Sequence, residues 1–96
     1  MILTERETDQ GLLVTVCDRG ILGETFEDGD VSLTVTEEFY GGQQVESAVV
    51  VERLREASVA NIVGTESVGL AIEEGFVDEE RVLELDGTRH AQFLRF

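Results

Sequence analysis

Lysine, proline and tryptophan are absent from the 96-residue sequence, and cysteine and histidine occur once each. Each scarcity excludes a class of protein. One cysteine forms no intrachain disulfide, and one Cys with one His builds no thiolate or imidazole zinc site. Without lysine there is no GxxxxGK phosphate loop, and no GxGxxG is present either. No apolar run approaches the roughly 18 residues of a membrane-spanning helix, so no membrane association is expected. Met1 leads into Thr4-Glu5-Arg6-Glu7 without a signal-peptide pattern, which predicts a cytoplasmic protein. The length fits one domain over residues 1–96, able to bury roughly two-thirds of its unfolded surface without staples.

Acid is abundant instead. Twenty-one Asp and Glu against seven arginines give a formal net charge of −14. The acids run along the whole chain, as in Glu27-Asp28, Glu37-Glu38, Glu73-Glu74 and Asp78-Glu79-Glu80. Such spacing describes an evenly acidic folded surface rather than an acidic tail. In dilute buffer that surface repels itself. At molar salt the screening length falls to about 3 Å and the repulsion is largely removed. A lysine-free sequence of this charge predicts the cytoplasm of a salt-accumulating halophile. The charge therefore describes the solvent better than it describes the partner.

Alternation predicts strands over Ile2–Arg6 and Leu12–Cys17, joined by a turn through Thr8-Asp9-Gln10-Gly11. Asp18 to Glu27 reads as irregular. Asp28-Gly29-Asp30 opens the clearest alternation, in which Val31, Leu33 and Val35 share one face. Phe39-Tyr40-Gly41-Gly42 reads as an aromatic-glycine loop. From Val45 to Ser58 the apolar period is helical, with Val50, Leu54 and Ala57 on one stripe. Ala60-Asn61-Ile62-Val63-Gly64 reads as an apolar connector. A second helix is expected from Thr65, its candidate N-cap, to Gly75. Asp86-Gly87 centres a C-terminal hairpin that sets Leu85 opposite Thr88, Glu84 opposite Arg89 and Leu83 opposite His90. Together these predict an α+β fold: a two-layer α/β sandwich, mostly antiparallel sheet with two helices on one face.

Gly20-Ile21-Leu22-Gly23 matches the GXXG pattern of KH domains but lacks a basic interior residue, and a plain turn accounts for it. Tyr40, Gly41 and Gly42 are candidate binding residues. Two glycines permit close backbone approach to a ligand, and an aromatic ring can stack on a base. Asn61, His90 and Gln92 are further candidates, the amides because they interrupt apolar stretches and need partners if buried. Cys17 and His90 are the one conventional nucleophile and base, but the hairpin register places His90 on an apolar face beside Leu83, Leu85, Leu94 and Phe96. No metal or cofactor site is expected.

Several of these segments also resemble the archaeal family catalogued only as domain of unknown function 424. They are Val16-Cys17-Asp18 with Leu22-Gly23-Glu24-Thr25-Phe26, Phe39-Tyr40-Gly41-Gly42, Ala60 to Gly64, Val68 to Gly75, and His90-Ala91-Gln92. Arg89 stands where the family commonly has proline. The resemblance implies an archaeal source and a small two-layer sandwich, and implies no activity. Two functions follow for consideration. One is a non-enzymatic binding or accessory module with a protein or RNA partner, in translation or ribosome assembly. The other is a small hydrolase or transferase using His90 with Cys17 or Asp18. Self-association through the C-terminal hairpin is compatible with both.

Overall fold

The computed structural model describes residues 1–95. Strands β1 (Ile2–Thr8) and β2 (Gly11–Cys17) form a hairpin, with Leu3 opposite Val16 and Glu5 opposite Val14. Strands β3 (Thr25–Asp28) and β4 (Val31–Thr34) make a separate two-stranded ribbon. A single helical turn, α1 (Glu37–Tyr40), leads to the short strand β5 (Gln43–Gln44) and helix α2 (Ser47–Glu56). Strand β6 (Val59–Val63) runs directly into helix α3 (Thr65–Glu73). A 3₁₀ turn at Glu79–Arg81 precedes the hairpin of β7 (Leu83–Leu85) and β8 (Thr88–Leu94). The main sheet has the order β5-β1-β2-β6-β8-β7, and β2 with β6 is its one parallel pair among the described residues.

The sheet has two dissimilar faces. Leu3, Val14, Val16, Ala60, Ile62 and Ala91 point to the first, where they bury Val50 and Leu54 of α2 and Val68 and Ala71 of α3. Both long helices therefore sit on one face, as the period of their apolar residues requires. Val49-Val50-Val51 is helical despite the weak helix preference of valine, because Val50 turns into this core. The bidentate Arg53–Glu5 pair, at 2.6 and 3.1 Å, ties α2 to β1 at the rim of the same face. Helix α3 ends as Gly75 predicts: with φ +81°, it lets Phe76 N–H bond Ala71 C=O and its own N–H bond Ile72 C=O.

Three expectations need correction. The segment Ala60–Gly64 is not a connector but most of a central strand, flanked by β2 and β8, with Ala60 and Ile62 buried under the helices and Val63 buried on the other face. Part of the irregular stretch Asp18–Glu27 is β3, which pairs with the alternating segment in the ribbon, Phe26 opposite Leu33. The aromatic-glycine loop begins as α1, which Thr36 caps by accepting from Phe39 N–H at 3.3 Å. The C-terminal hairpin has the expected register at all three pairs.

Candidate functional site

The second sheet face is laid out in three cross-strand rows. The first, Ile2, Cys17, Val63, His90 and Leu83, lies at the covered end. Cys17 and Val63 form a small core there with Val35 and Tyr40, flanked by Ile21, Leu22, Phe26 and Phe39. The middle row is polar: Thr4, Thr15, Asn61 and Gln92 stand side by side across β1, β2, β6 and β8. Thr15 is buried and donates to Phe39 C=O at 3.3 Å. The outer row, Arg6, Leu13, Val59 and Leu94, is left largely uncovered, with Leu94 54% exposed. Arg6 turns toward α1, where it donates to Glu38 C=O and lies 5.4 Å from the Phe39 ring centroid.

The sequence candidates separate within this layout. Tyr40 is 4% exposed and packs edge-on against Phe39, with ring centroids 4.9 Å apart, so its ring belongs to the small core and is not a stacking platform. Burial, with a smaller contribution from Cys17, pushes its hydroxyl up to about 12. Gly41 and Gly42 are explained by packing. A Cβ on Gly41 would overlap Glu37 C=O, and one on Gly42 would overlap Leu3 C=O where the chain closes on β1 to form β5. Asn61 and Gln92, by contrast, face each other directly on β6 and β8. Theirs is a non-hydrogen-bonded pair, the geometry that brings facing side chains closest, with Cα atoms about 4.5 Å apart. Gln92 is exposed and Asn61 half-buried, and neither amide bonds another protein group among the described residues. Sequence reasoning missed Leu13, Val59 and Leu94 as the apolar border of this amide pair. Recognising β6 as a strand would have found them, since a short apolar run stopped by glycine also describes a buried strand.

His90 lies at the boundary between the covered and open ends. Burial lowers its pKa below the ordinary 6.5. Protonation is then harder in the folded than in the unfolded chain. Stability is fully present above the unfolded value and falls as the pH drops below about 6.5, levelling off under the folded value. Urea midpoints in molar KCl at pH 7.5 and 5.5 test this, with a larger decrease expected in the wild type than in His90→Gln. Equal decreases would assign the whole pH effect to the carboxylates.

Cys17, Asp18 and His90 do not converge. Cys17 and His90 share a face, but Val63 of β6 stands between them. Two strand spacings separate their backbones by about 10 Å. Cys17 is fully buried, and burial reinforced by the Asp18 carboxylate pushes its thiol up to about 11, far from a reactive thiolate. Asp18 is occupied elsewhere: Oδ1 accepts from Ser67 N–H and Ser67 Oγ, both at 2.7 Å, and Oδ2 accepts from Glu66 N–H at 3.1 Å. It thus supplies the α3 cap that the sequence suggested for Thr65, whose side chain makes no such bond. Among the described residues, no group of three or more His, Cys, Asp and Glu is placed to hold a metal ion, and no helix is long and apolar enough to cross a membrane.

Comparison with known proteins adds a family and a fold. The family described as "Protein of unknown function (DUF424)" matches residues 5–96. No functionally curated protein matches. The crystal structure of an uncharacterized conserved protein from Methanopyrus kandleri superposes with a TM-score of 0.81 at 24% identity, covering 99% of this chain and 92% of that one.

Proposed function

Because the chain belongs to the DUF424 family of proteins of unknown function, we propose from its geometry that it is a non-catalytic binding module whose contact face is the open end of the second sheet face. The observation that carries this reading is the Asn61–Gln92 pair. Two amides stand together, Gln92 exposed and Asn61 half-buried, with no protein hydrogen bond to either side chain among the described residues, beside the apolar side chains of Leu13, Val59 and Leu94. Each amide offers a carbonyl acceptor and two N–H donors, so the pair recognises polar groups while the apolar border supplies contact area.

A protein partner is favoured over RNA. The one cation in these rows, Arg6, is already committed to Glu38 C=O and the Phe39 ring, which leaves no basic groove for a phosphate backbone. The net charge of −14 without lysine supports a setting in the cytoplasm of a salt-accumulating archaeon, with an accessory role in translation or ribosome assembly as the working assignment. The alternative, hydrolysis or group transfer by His90 with Cys17 or Asp18, finds no support in the separation, burial and bonding of those groups.

The test is a tagged capture from a halophilic host in molar KCl throughout, reading bound proteins and RNA. A specific protein partner is expected, lost by about tenfold or more with Asn61→Asp or Gln92→Arg, since each leaves polar groups mismatched in the contact. Full retention with both variants would move the contact off this face. Capture of RNA alone would overturn the choice of partner class.

A further inference from the structure

One edge of the sheet is open in a way the other is not, and from it we infer that β8 accepts an extended, basic peptide segment of a partner protein as an added strand. The inference rests on the binding reading above and specifies the partner's form. Its basis is the direction of backbone hydrogen bonds along β8. Gly64 N–H bonds Arg89 C=O and Arg95 N–H bonds Ser58 C=O, so the odd-numbered residues of β8 point toward β6. The even-numbered residues point the other way. Strand β7 meets two of them, Thr88 and His90, and then the chain turns aside through the 3₁₀ turn at Glu79–Arg81. The N–H and C=O groups of Gln92 and Leu94 are left facing a groove of about 440 Å³, whose far wall includes Phe76, Val77, Asp78 and Arg81.

The two sheet edges are defended differently. On the β1 side, β5 pairs only with Ile2 and Leu3, and the remaining edge carries Glu5, Arg6 and Glu7. Charges at an edge deter another strand from adding. The open edge of β8, Ala91-Gln92-Phe93-Leu94, has no charge. Its side chains already suit a guest: Leu94 is exposed beside the Asn61–Gln92 pair, and Phe93 stacks on Phe76, ring centroids 6.2 Å apart, along the groove. Strand addition supplies affinity through the backbone, while alternate side chains of the guest read the two sides. Of the groove's two charged residues, Arg81 lies 3.9 Å from Asp78, and the exposed Glu79 and Glu80 next to them leave this rim with a net negative charge that selects arginine or lysine on the guest. A second copy pairing through the same edge would bring Ala91-Gln92-Phe93-Leu94, which carries no cation for the acidic run.

The probe is a synthetic eight-residue peptide alternating valine and arginine, titrated into the full chain in molar and sub-molar KCl. Binding is expected to slow amide exchange at Gln92 and Leu94 by about tenfold or more, as new hydrogen bonds protect them. A peptide with the same side chains but alternate backbone nitrogens methylated is expected not to bind, and neither is a valine–glutamate peptide. Leu94→Pro removes an edge donor without touching the β6 ladder, so it abolishes binding while leaving the far-ultraviolet dichroism and melting intact. Equal binding of the methylated peptide, or unchanged exchange at both amides, overturns the inference. Protection that appears with concentration and without peptide identifies a second copy and overturns it too. If the captured partner survives Leu94→Pro but is lost with Asn61→Asp, the edge inference fails while the binding reading stands. If the partner survives both, each fails.

Discussion

Gly64→Ala is expected to lower the stability of the folded chain by about 3 to 5 kcal/mol, combining the strain of a glycine-only conformation with the loss of a helix cap. Gly64 joins β6 to α3 at φ +121°, a backbone conformation that side-chain-bearing residues rarely adopt. A methyl group there would also overlap the Asp18 carboxylate. That carboxylate holds the start of α3 through three hydrogen bonds, so displacing it loosens the helix that buries its own Val68 and Ala71 against the sheet. Asp18→Ala alone is expected to cost about 2 kcal/mol, as the loss of a buried cap does. Combining the two should cost less than their sum, because the overlap disappears while the backbone strain remains. Urea unfolding in molar KCl measures all three. A loss under about 1 kcal/mol for Gly64→Ala would mean that the strand–helix junction relaxes freely, and that the cap contributes little.

Arg95→Ala is expected to cost about 2 kcal/mol, from one guanidinium that closes a helix end. Arg95 Nη1 donates to Leu54, Arg55 and Ala57 C=O at 3.2, 2.9 and 3.1 Å, carbonyls at the C-terminal end of α2, of which Leu54 C=O also accepts from Ala57 N–H at 3.3 Å. Its guanidinium carbon lies 4.6 Å from the Phe93 ring centroid and 5.9 Å from that of Phe76. The charge is thus placed at the negative end of the helix and over two aromatic faces. Arg95→Lys keeps the charge but not the planar fork, and should recover about half the loss or less. Amide exchange read along α2 separates this account from a general loss of packing: the last turn should open first. Uniform acceleration across the whole chain would show that Arg95 contributes only through burial of its stem.

Local signals in the sequence were legible, and non-local ones were not. The β7–β8 hairpin is set by Asp86-Gly87 and by the alternation around it, all within a dozen residues, and its register was as expected. Helices α2 and α3 followed from their apolar stripes, although α3 takes its cap from Asp18, 48 residues before Glu66. No pattern around Thr65 could reveal that bond. Strand β6 escaped notice because apolar side chains stand on both of its faces, Ala60 and Ile62 on one and Val59 and Val63 on the other, which removes the alternation that marks a strand. Missing it concealed the site as well, since Asn61 and Gln92 become neighbours only once β6 is laid beside β8. Tyr40, Gly41 and Gly42 carry the opposite lesson. Aromatic and glycine residues that suit a ligand loop also suit a tight passage of backbone against backbone, and here Leu3 and Glu37 occupy the space a ligand would need.

The parallel pairing of β2 with β6 has a consequence for how the chain reaches this structure. Strands β1 and β2, and β7 and β8, meet through short turns, but Leu13 finds Val59 only after the ribbon, α1, β5 and α2 have intervened. The entropy of closing so long a loop must be met before the central contacts return any of it. Sequence separation therefore favours the two terminal hairpins forming first, with the join between them as the costliest closure. Asp18 and Gly64 sit at the end of that join, where Asp18 N–H bonds Val63 C=O and its carboxylate fastens α3. In the folded chain they latch the end of β2 to the start of α3, so the β2–β6 join and the helix after it are held at one point.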